Sequence, residues 1–120
     1  MSENYKLINL SYIEQVCGGN KEMVSKMVDL FVEQTPLQLK QLKSAAADGR
    51  WSDFFAVAHK TKSSMAMMGV KSLQEKLVKL ESYSKHKTNL HEVDDLLSEV
   101  DTACTKILKE ISTIQVAANK

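Results

Sequence analysis

Apolar residues recur every three or four positions along most of this chain, the spacing that places side chains on one face of an α-helix. We therefore predict five helical segments and no strand. The first segment covers about Leu10–Cys17, with Asn9 or Ser11 as its N-cap residue. Gly18 and Gly19 follow this segment, and glycine commonly ends a helix.

The second predicted helix runs from about Asn20 to Asp48. Its apolar residues recur at helical spacing, and we assign them to the stripe that packs on neighbouring helices: Met23, Met27, Leu30, Phe31, Leu37 and Leu42. Pro36 either kinks this helix or marks a new first turn after Thr35, because proline lacks the amide hydrogen that a helix interior uses. Gly49 marks the predicted end of the helix.

The third predicted helix covers about Trp51–Met68 with Gly69 as its C-cap residue, and the fourth covers about Ser72–Ser84. The fourth places three leucines on one side: Leu73, Leu77 and Leu80. The fifth begins near Asn89, which has capping-box spacing to Glu92. Its apolar seam alternates by four and three residues: Val93, Leu97, Val100, Cys104, Ile107, Ile111 and Ile114.

These stripes predict an all-α fold. An antiparallel up-and-down four-helix bundle with a short additional N-terminal helix at one end buries all of them. The third and fourth helices form a hairpin, because only a few residues connect them. We expect a single domain over residues 1–120, since no repeat, low-complexity tract or linker divides the chain.

Composition and charge argue against several classes of function. The formal net charge of +1 disfavours a broad nucleic-acid-binding surface, which needs a basic excess. No apolar run approaches the ~20 residues that span a bilayer, and the first residues show no signal-peptide pattern. Cys17 and Cys104 fall at apolar helical positions without metal-binding spacing, so we expect two reduced, buried thiols in a cytoplasmic protein. We also expect a monomer.

The candidate chemistry centres on His59 in the third helix. At about 100° per residue, its stripe of the helix carries small residues: Ser52, Ala56, Ser63 and Ala66. The larger apolar residues point away from this stripe: Phe54, Val57, Met65 and Met68. Small neighbours let a large partner approach the imidazole closely. Lys62 places a cation on the same side of the helix, where it can hold an anion attached to the ring.

An isolated histidine in a helix is most often structural or solvated, but the neighbours of His59 suit phosphate chemistry. Imidazole is a good nucleophile at neutral pH, and Ser63 adds a hydroxyl donor next to Lys62. A metal-carboxylate site is disfavoured, because bundles of that class use Glu-x-x-His pairs. None of the three histidines has a glutamate three residues earlier; those positions hold Ala56, Tyr83 and Thr88.

The sequence around His59 resembles the signature of histidine-containing phosphotransfer (HPt) domains. The resemblance rests on the pattern Ala-His-x-x-Lys-Ser-Ser-x-x-x-x-Gly, which begins at Ala58, and on Leu73 and Leu80-Glu81 after it. Upstream it continues in Gly18-Gly19-Asn20, Leu30-Phe31, Thr35-Pro36, Leu39, Leu42 and Asp48-Gly49. It covers about residues 8–85, and the fifth helix agrees only by its pattern.

The resemblance implies a phosphorelay intermediate. His59 would accept a phosphoryl group from the aspartyl phosphate of a receiver domain and pass it to another receiver domain. Lys62 would stabilise the phosphoryl group, and Gly69 would end the helix. Apart from the resemblance, the hydroxyl of Ser63 makes it a second candidate to stabilise the phosphoryl group. The family usually has glycine at the position of Ser63, and serine is small enough to keep access to the histidine.

The chain has no nucleotide-binding motif, so we expect a phosphohistidine carrier without kinase activity of its own. The resemblance implies response-regulator receiver domains or a hybrid histidine kinase as partners. The receiver domain would supply the aspartate and Mg²⁺, and this chain would bind no cofactor or metal. An alternative of a different class is a helical adaptor that binds receiver or kinase domains without being phosphorylated.

We expect the partner to dock on the exposed surface around His59. The predicted docking residues form a shallow apolar centre with cations at its edge: Phe55, Ala56, Lys60, Ala66, Met67 and Gly69. Glu81, on the next helix, is placed either to orient the imidazole through a hydrogen bond or to form a surface ion pair with a neighbouring lysine.

Overall fold

The computed structural model describes the backbone of residues 7–118 and the side chains of residues 7–112. Every regular element in that part of the chain is helical, which confirms the predicted fold class. The helices are α1 (Ser11–Val16), α2 (Lys21–Asp48), α3 (Trp51–Met67), α4 (Lys71–His86) and α5 (Val93–Ala118). None of the helices in residues 7–118 combines the length and apolar character that a bilayer crossing requires.

The ends of α2 lie where the sequence predicts them. The side chain of Asn20 accepts a hydrogen bond from the Met23 backbone N–H at 3.1 Å, which satisfies one of the unpaired amides of the first turn. Gly49 ends the helix with a φ of 70°, a left-handed conformation that glycine adopts without strain. The helix continues through Pro36, so the predicted alternative of a new helix after Thr35 is wrong.

Two other capping predictions need correction. Asn9 does act at the start of α1, where its side chain accepts the Ser11 N–H at 2.9 Å, but Leu10 occupies the N-cap position. The predicted capping box at Asn89 is wrong, because Asn89 has a φ of 51° and its side chain makes no capping hydrogen bond. A short 3-10 turn, Leu90–Glu92, forms instead and leads into α5.

The four long helices pack as a bundle. The helix α3 lies between α2 and α4, and α5 closes the opposite side by packing against the same two helices. Connections of two or three residues join α2 to α3 and α3 to α4, so these neighbours are antiparallel. The short helix α1 packs against α2. The side of α3 that faces away from the bundle is therefore also the side farthest from α5.

The core confirms most of the predicted stripes. In α4 and α5 the predicted residues are buried from Leu73 to Ile111, whereas the Ile114 side chain lies outside the described residues. Met65 of α3 and Met68, the C-cap residue of α3, are buried, which agrees with their predicted direction away from the His59 stripe. Cys17 and Cys104 are both buried and free.

The predicted stripe of α2 is partly wrong. Met23, Leu30 and Leu37 are exposed, and Met27 is only partly buried. The buried face consists instead of Val24, Val28, Phe31, Thr35, Leu39, Leu42 and Ala45. Phe31 and Leu42 are buried as predicted, but the rest of the face includes a threonine and an alanine, which a choice based on large apolar residues overlooks. The three exposed residues recur every seventh position, which places them together on the outer surface of α2.

The chain before α1 packs against the turn between α3 and α4. The Asn9 N–H donates a hydrogen bond to the Met68 carbonyl at 2.9 Å. Gly69, which follows, has a φ of 70°, and a Cβ atom placed on it would lie 2.6 Å from the Asn9 carbonyl oxygen. Glycine is required at this position both for its backbone conformation and for the close approach of the N-terminal segment.

Candidate functional site

His59 projects from the middle of α3 beside α4. The neighbouring α3 residues Phe54, Ala58 and Met65 are fully buried and hold the helix against the core. His59 follows Ala58 by one residue, which turns its side chain about 100° away from the core direction. Its side chain is 59% exposed. A reactive group of another protein can therefore reach the imidazole.

A buried carboxylate joins His59 to Lys62. One oxygen of Glu81, Oε2, lies 2.8 Å from Nδ1 of His59. The other oxygen, Oε1, lies 2.8 Å from the Lys62 ammonium nitrogen. The Glu81 side chain is only 10% exposed. Of the two alternatives that the sequence left open, the hydrogen bond to the imidazole is present, and Glu81 also pairs with a lysine, although this ion pair is largely buried and not at the surface.

The electrostatic environment keeps Glu81 ionised. Desolvation by burial raises the pKa of Glu81, but the hydrogen bond from Lys62 and the hydrogen bond from His59 lower it, together with their charges. The net result is a pKa below the ordinary value of 4.5. At neutral pH the group is a carboxylate with two oriented donors, which accounts for its burial.

The carboxylate fixes the tautomer of His59. An ionised carboxylate only accepts hydrogen bonds, so Nδ1 of the neutral imidazole donates its proton to Glu81. The other ring nitrogen, Nε2, then carries the lone pair. It lies on the opposite side of the ring from the buried Glu81. The arrangement orients a nitrogen nucleophile away from the bundle.

The other predicted site residues surround the ring in different ways. The Ser63 hydroxyl donates to the His59 backbone carbonyl at 3.3 Å, so it is one turn from the ring and is not bonded to it. Phe55 flanks the imidazole in a near-parallel arrangement, with 6.3 Å between ring centroids. Ala56 and Lys60 are exposed.

Two predicted docking residues are only partly buried, and a third lies at the end of the bundle. Ala66 and Met67 lie about two turns beyond His59 and keep part of their surface accessible. Gly69 lies against Asn9 at the α3–α4 turn. Its packing explains the glycine without any contact to a partner, so its place in a docking surface stays a prediction.

The structure adds a feature that the sequence prediction missed. A groove of about 410 Å³ runs between α2 and α3. Its lining includes Met27, Leu30, Phe31, Gln34, Ser64 and Met67, and we call it the α2–α3 groove. Leu30, at its outer edge, is 56% exposed. The sequence did contain a signal for this apolar surface, namely the seven-residue spacing of Met23, Leu30 and Leu37. The sequence prediction places these three residues in the core instead.

The groove and His59 lie on adjoining parts of one surface. Along α3 the groove residues Ser64 and Met67 face α2, whereas His59 leans toward α4. The exposed side chains of Ala56 and Ser63 lie between them. Among the described residues, no group of three or more His, Cys, Asp or Glu side chains could hold a metal ion.

Comparison with known proteins gives one match. A family model described as Hpt domain matches residues 26–114, a range that contains α3, α4, the triad of His59, Glu81 and Lys62, and most of α2 and α5. The match confirms the resemblance seen in the sequence and extends it into α5. Comparisons with curated proteins and with solved structures return no significant match.

Proposed function

This chain belongs to the Hpt domain family, and we propose that it carries a phosphoryl group on His59 between receiver domains. Members of the family take part in phosphotransfer within two-component signalling, where they work with receiver domains and histidine kinases. The observation that carries the proposal is the exposed imidazole whose Nδ1 is bonded to a buried carboxylate.

The transfer step follows from the tautomer. The Nε2 lone pair attacks the phosphorus of the receiver's aspartyl phosphate in line with the bond that breaks. A P–N bond forms, the P–O bond to the aspartate breaks, and the electron pair of that bond stays on the aspartate as a carboxylate. No proton must leave Nε2, because it carries none at the start. The reverse reaction passes the phosphoryl group to a second receiver.

Glu81 supports this step electrostatically. As Nε2 bonds to phosphorus, the ring keeps its Nδ1 proton and acquires positive charge. The carboxylate of Glu81 is already oriented toward that proton at 2.8 Å, so no reorganisation is needed when the charge develops. Groups that are fixed in advance stabilise a transition state better than groups that must move.

The partner would supply the remaining chemistry. The receiver would bring the aspartate and the Mg²⁺ that offsets the phosphoryl charge. This chain would supply an oriented nucleophile and a surface for docking, as a phosphohistidine carrier rather than a kinase. Ser63 stays a candidate donor to the phosphoryl oxygens, which would require its hydroxyl to turn from the His59 carbonyl.

We propose that the receiver docks over the outer face of α3 and reaches the α2–α3 groove. The apolar surface there includes Leu30 and Met67 at the groove and Ala56 near the ring. Exposed apolar residues that lie together are typical of protein interaction sites. Lys60 lies at the edge of this surface and would speed association with an acidic partner.

The decisive experiment uses a receiver domain phosphorylated with ³²P. We expect label to appear on this chain, with the acid lability and alkali stability of phosphohistidine. His59→Gln should abolish labelling. The chain offers two matched controls, because His86 and His91 are exposed and lie at the C-terminal end of α4 and in the 3-10 turn that follows it. His86→Gln and His91→Gln should be labelled like the wild type.

The same experiment separates the carrier from the adaptor. Stable binding of the phosphorylated receiver without any transfer would favour a helical adaptor and contradict the carrier. Equal labelling of the His59→Gln variant would contradict the assignment of His59. Binding is measured by calorimetry with the same receiver, so the two functions are tested on one pair of proteins.

We propose further that the chain acts as one monomeric domain in the cytoplasm. A single cluster of buried apolar residues, drawn from all five helices, supports the single domain. The two free cysteines support a reducing compartment. Burial, with a smaller effect of Asp101, raises the pKa of Cys104 to about 12, so its thiol stays protonated at neutral pH.

A further inference from the structure

A cleft of about 600 Å³ lies at the end of the bundle where α3 begins and α4 ends. We call it the α3–α4 cleft, and its lining includes Trp51 and Phe55 near the start of α3 and Lys85 and Lys87 at the end of α4. Phe55 also flanks the imidazole of His59. The cleft therefore opens beside the surface from which a partner would reach the nucleophile.

The cleft carries two lysines that have no carboxylate partner. Arg50 also lines the cleft, but its guanidinium group donates to Asp53 at 2.9 Å and to Asp48 at 3.3 Å. Lys85 and Lys87 are exposed, and neither forms an ion pair with a side chain in the described part of the chain. Their charge suits the C-terminal end of α4, and the three cations outnumber the two aspartates. The cleft therefore has an excess of positive charge.

We propose that the α3–α4 cleft binds an acidic segment of the receiver domain. A carboxylate of that segment pairs with Lys85 and Lys87, and its aliphatic neighbours lie against the rings of Trp51 and Phe55. The receiver has a chemical reason to be acidic close to its aspartyl phosphate, because carboxylates hold the Mg²⁺ that it brings. This inference rests on the proposed function, since it names a further contact with the same partner.

One receiver is large enough to touch both the α3–α4 cleft and the α2–α3 groove. The helical rise of 1.5 Å per residue separates Phe55 at the cleft from Met67 at the groove by about 18 Å, with His59 between them. A typical interface covers about 800 Å² of each partner, a patch roughly 30 Å across. The groove is mainly apolar and the cleft is positively charged, so a receiver that contacts both can dock in one direction only.

The first test uses the unphosphorylated full chain and an acidic probe, a hexa-aspartate peptide. Trp51 is the only tryptophan in the sequence and lines the cleft, so its fluorescence reports whether the cleft is occupied. We expect the peptide to change the emission saturably at low salt, and added salt to weaken binding. The double variant Lys85→Glu and Lys87→Glu should abolish the change. The control Lys79→Glu and Lys106→Glu alters the net charge equally at exposed lysines outside the cleft and should retain it.

The second test measures phosphoryl transfer over a range of concentrations of a phosphorylated receiver. We expect the cleft double variant to raise the half-saturating receiver concentration by about tenfold at low salt. The saturating rate should change by less than about twofold, because the contacts of His59 with Glu81 are untouched. Lys85→Arg with Lys87→Arg keeps both charges and should behave like the wild type. The control pair on Lys79 and Lys106 should do the same.

The outcomes separate the cleft from the broader function. The proposal is overturned if the peptide leaves the emission of Trp51 unchanged, or if the cleft and control variants lose peptide binding or receiver binding equally. It is also overturned if the receiver saturates the cleft double variant at the wild-type concentration. If no receiver transfers phosphate to the chain, the proposed function fails. Calorimetry of receiver binding to the same variants then decides whether the cleft holds the receiver. Circular dichroism checks that each variant is folded.

Discussion

At the scale of single residues, the nature of Glu81 explains how an exposed histidine gains a defined chemical state. A neutral acceptor would also hold the Nδ1 proton, but only a charged one stabilises the positive ring that forms during transfer. A buried carboxylate needs donors of its own, and Lys62 supplies the second one at 2.8 Å. The nucleophile, its acceptor and the balancing cation are thus one electrostatic unit.

This unit should contribute to stability in a pH-dependent way. The pKa of Glu81 is lower in the folded protein than its ordinary value of 4.5, since the donors outweigh desolvation. The unfolded chain therefore binds a proton at higher pH than the folded protein does. The contribution of Glu81 is fully present above about pH 4.5 and is lost as pH falls through the folded-state value.

Urea unfolding of the wild type and Glu81→Gln at several values between pH 3 and pH 7 measures this contribution. We expect the wild type to be more stable near pH 7 and the difference to shrink below about pH 4.5. Glu75→Gln is the control, because Glu75 is exposed on the same helix. A difference between wild type and Glu81→Gln that does not vary with pH would contradict the ionised, bonded state of Glu81.

Substitutions at two glycines with the same backbone conformation can separate the cost of backbone strain from the cost of a steric clash. Gly49 and Gly69 both have a φ of 70°, but only Gly69 has neighbouring atoms where a Cβ would lie. Gly49→Ala should reduce the free energy of unfolding by about 1 kcal/mol, the cost of a left-handed alanine. Gly69→Ala should reduce it by about 2–4 kcal/mol, because the Asn9 backbone must also move.

Chemical denaturation of both variants gives the two values directly. Equal losses would mean that the segment around Asn9 yields without cost and does not fix the α3–α4 turn. A larger loss for Gly69→Ala would show that this glycine is needed for the fold. In that case a glycine at the end of the His59 helix serves the fold whether or not a partner touches it.

At the scale of elements, helix α2 shows how well a hydrophobic pattern predicts which residues of a helix are buried. Leu30 and Phe31 are adjacent and similar in hydrophobicity, yet Leu30 is 56% exposed and Phe31 is 5% exposed. Leu30→Ala should change stability by no more than about 0.5 kcal/mol. Phe31→Ala should reduce the free energy of unfolding by about 3–5 kcal/mol, because it leaves a cavity in the core.

The two variants are compared by urea unfolding with the same buffer and the same probe. A large loss for Leu30→Ala would return Leu30 to the buried stripe that the sequence predicts, and a small loss for Phe31→Ala would contradict the burial of Phe31. The expected result would confirm that the outer face of α2 is apolar without being part of the core. The exposure of apolar residues on this face would then be explained by the docking of a partner.

The sequence predicts elements well where local chemistry decides and poorly where packing decides. Asn20 and Gly49 bound α2 as expected, because a side-chain cap and a left-handed residue act locally. The seam of α5 is regular and almost entirely aliphatic, so its buried face was unambiguous. In α2 the buried face includes Thr35, and two stripes of similar hydrophobicity compete.

The candidate site was predictable to a similar degree. His59 and Lys62 are close in sequence on one helix, so their proximity follows from helical geometry. The bond to Glu81 spans 22 positions and depends on how α3 and α4 are rotated against each other. The pattern of the two helices allowed the contact but did not select it over a surface ion pair.

At the scale of the whole molecule, the arrangement of helices determines which side of the bundle can meet a partner. The helix that carries His59 packs between α2 and α4, and α5 packs between the same two helices on the opposite side. The exposed Leu30 belongs to the His59 side, and the exposed Thr102 belongs to α5. These two positions can report which side of the bundle faces the receiver.

A charge introduced at each position tests the docking side. Leu30→Glu should slow transfer from a phosphorylated receiver by about tenfold or more, the effect of losing a contact worth at least 1.4 kcal/mol. Thr102→Glu adds the same charge on the far side and should leave the rate within about twofold of the wild type. Rates are measured over a range of receiver concentrations, so that weaker binding appears as a higher half-saturating concentration. Equal rates for the two variants would place the receiver away from the α2–α3 groove, and the imidazole would then have to be approached from the α4 side.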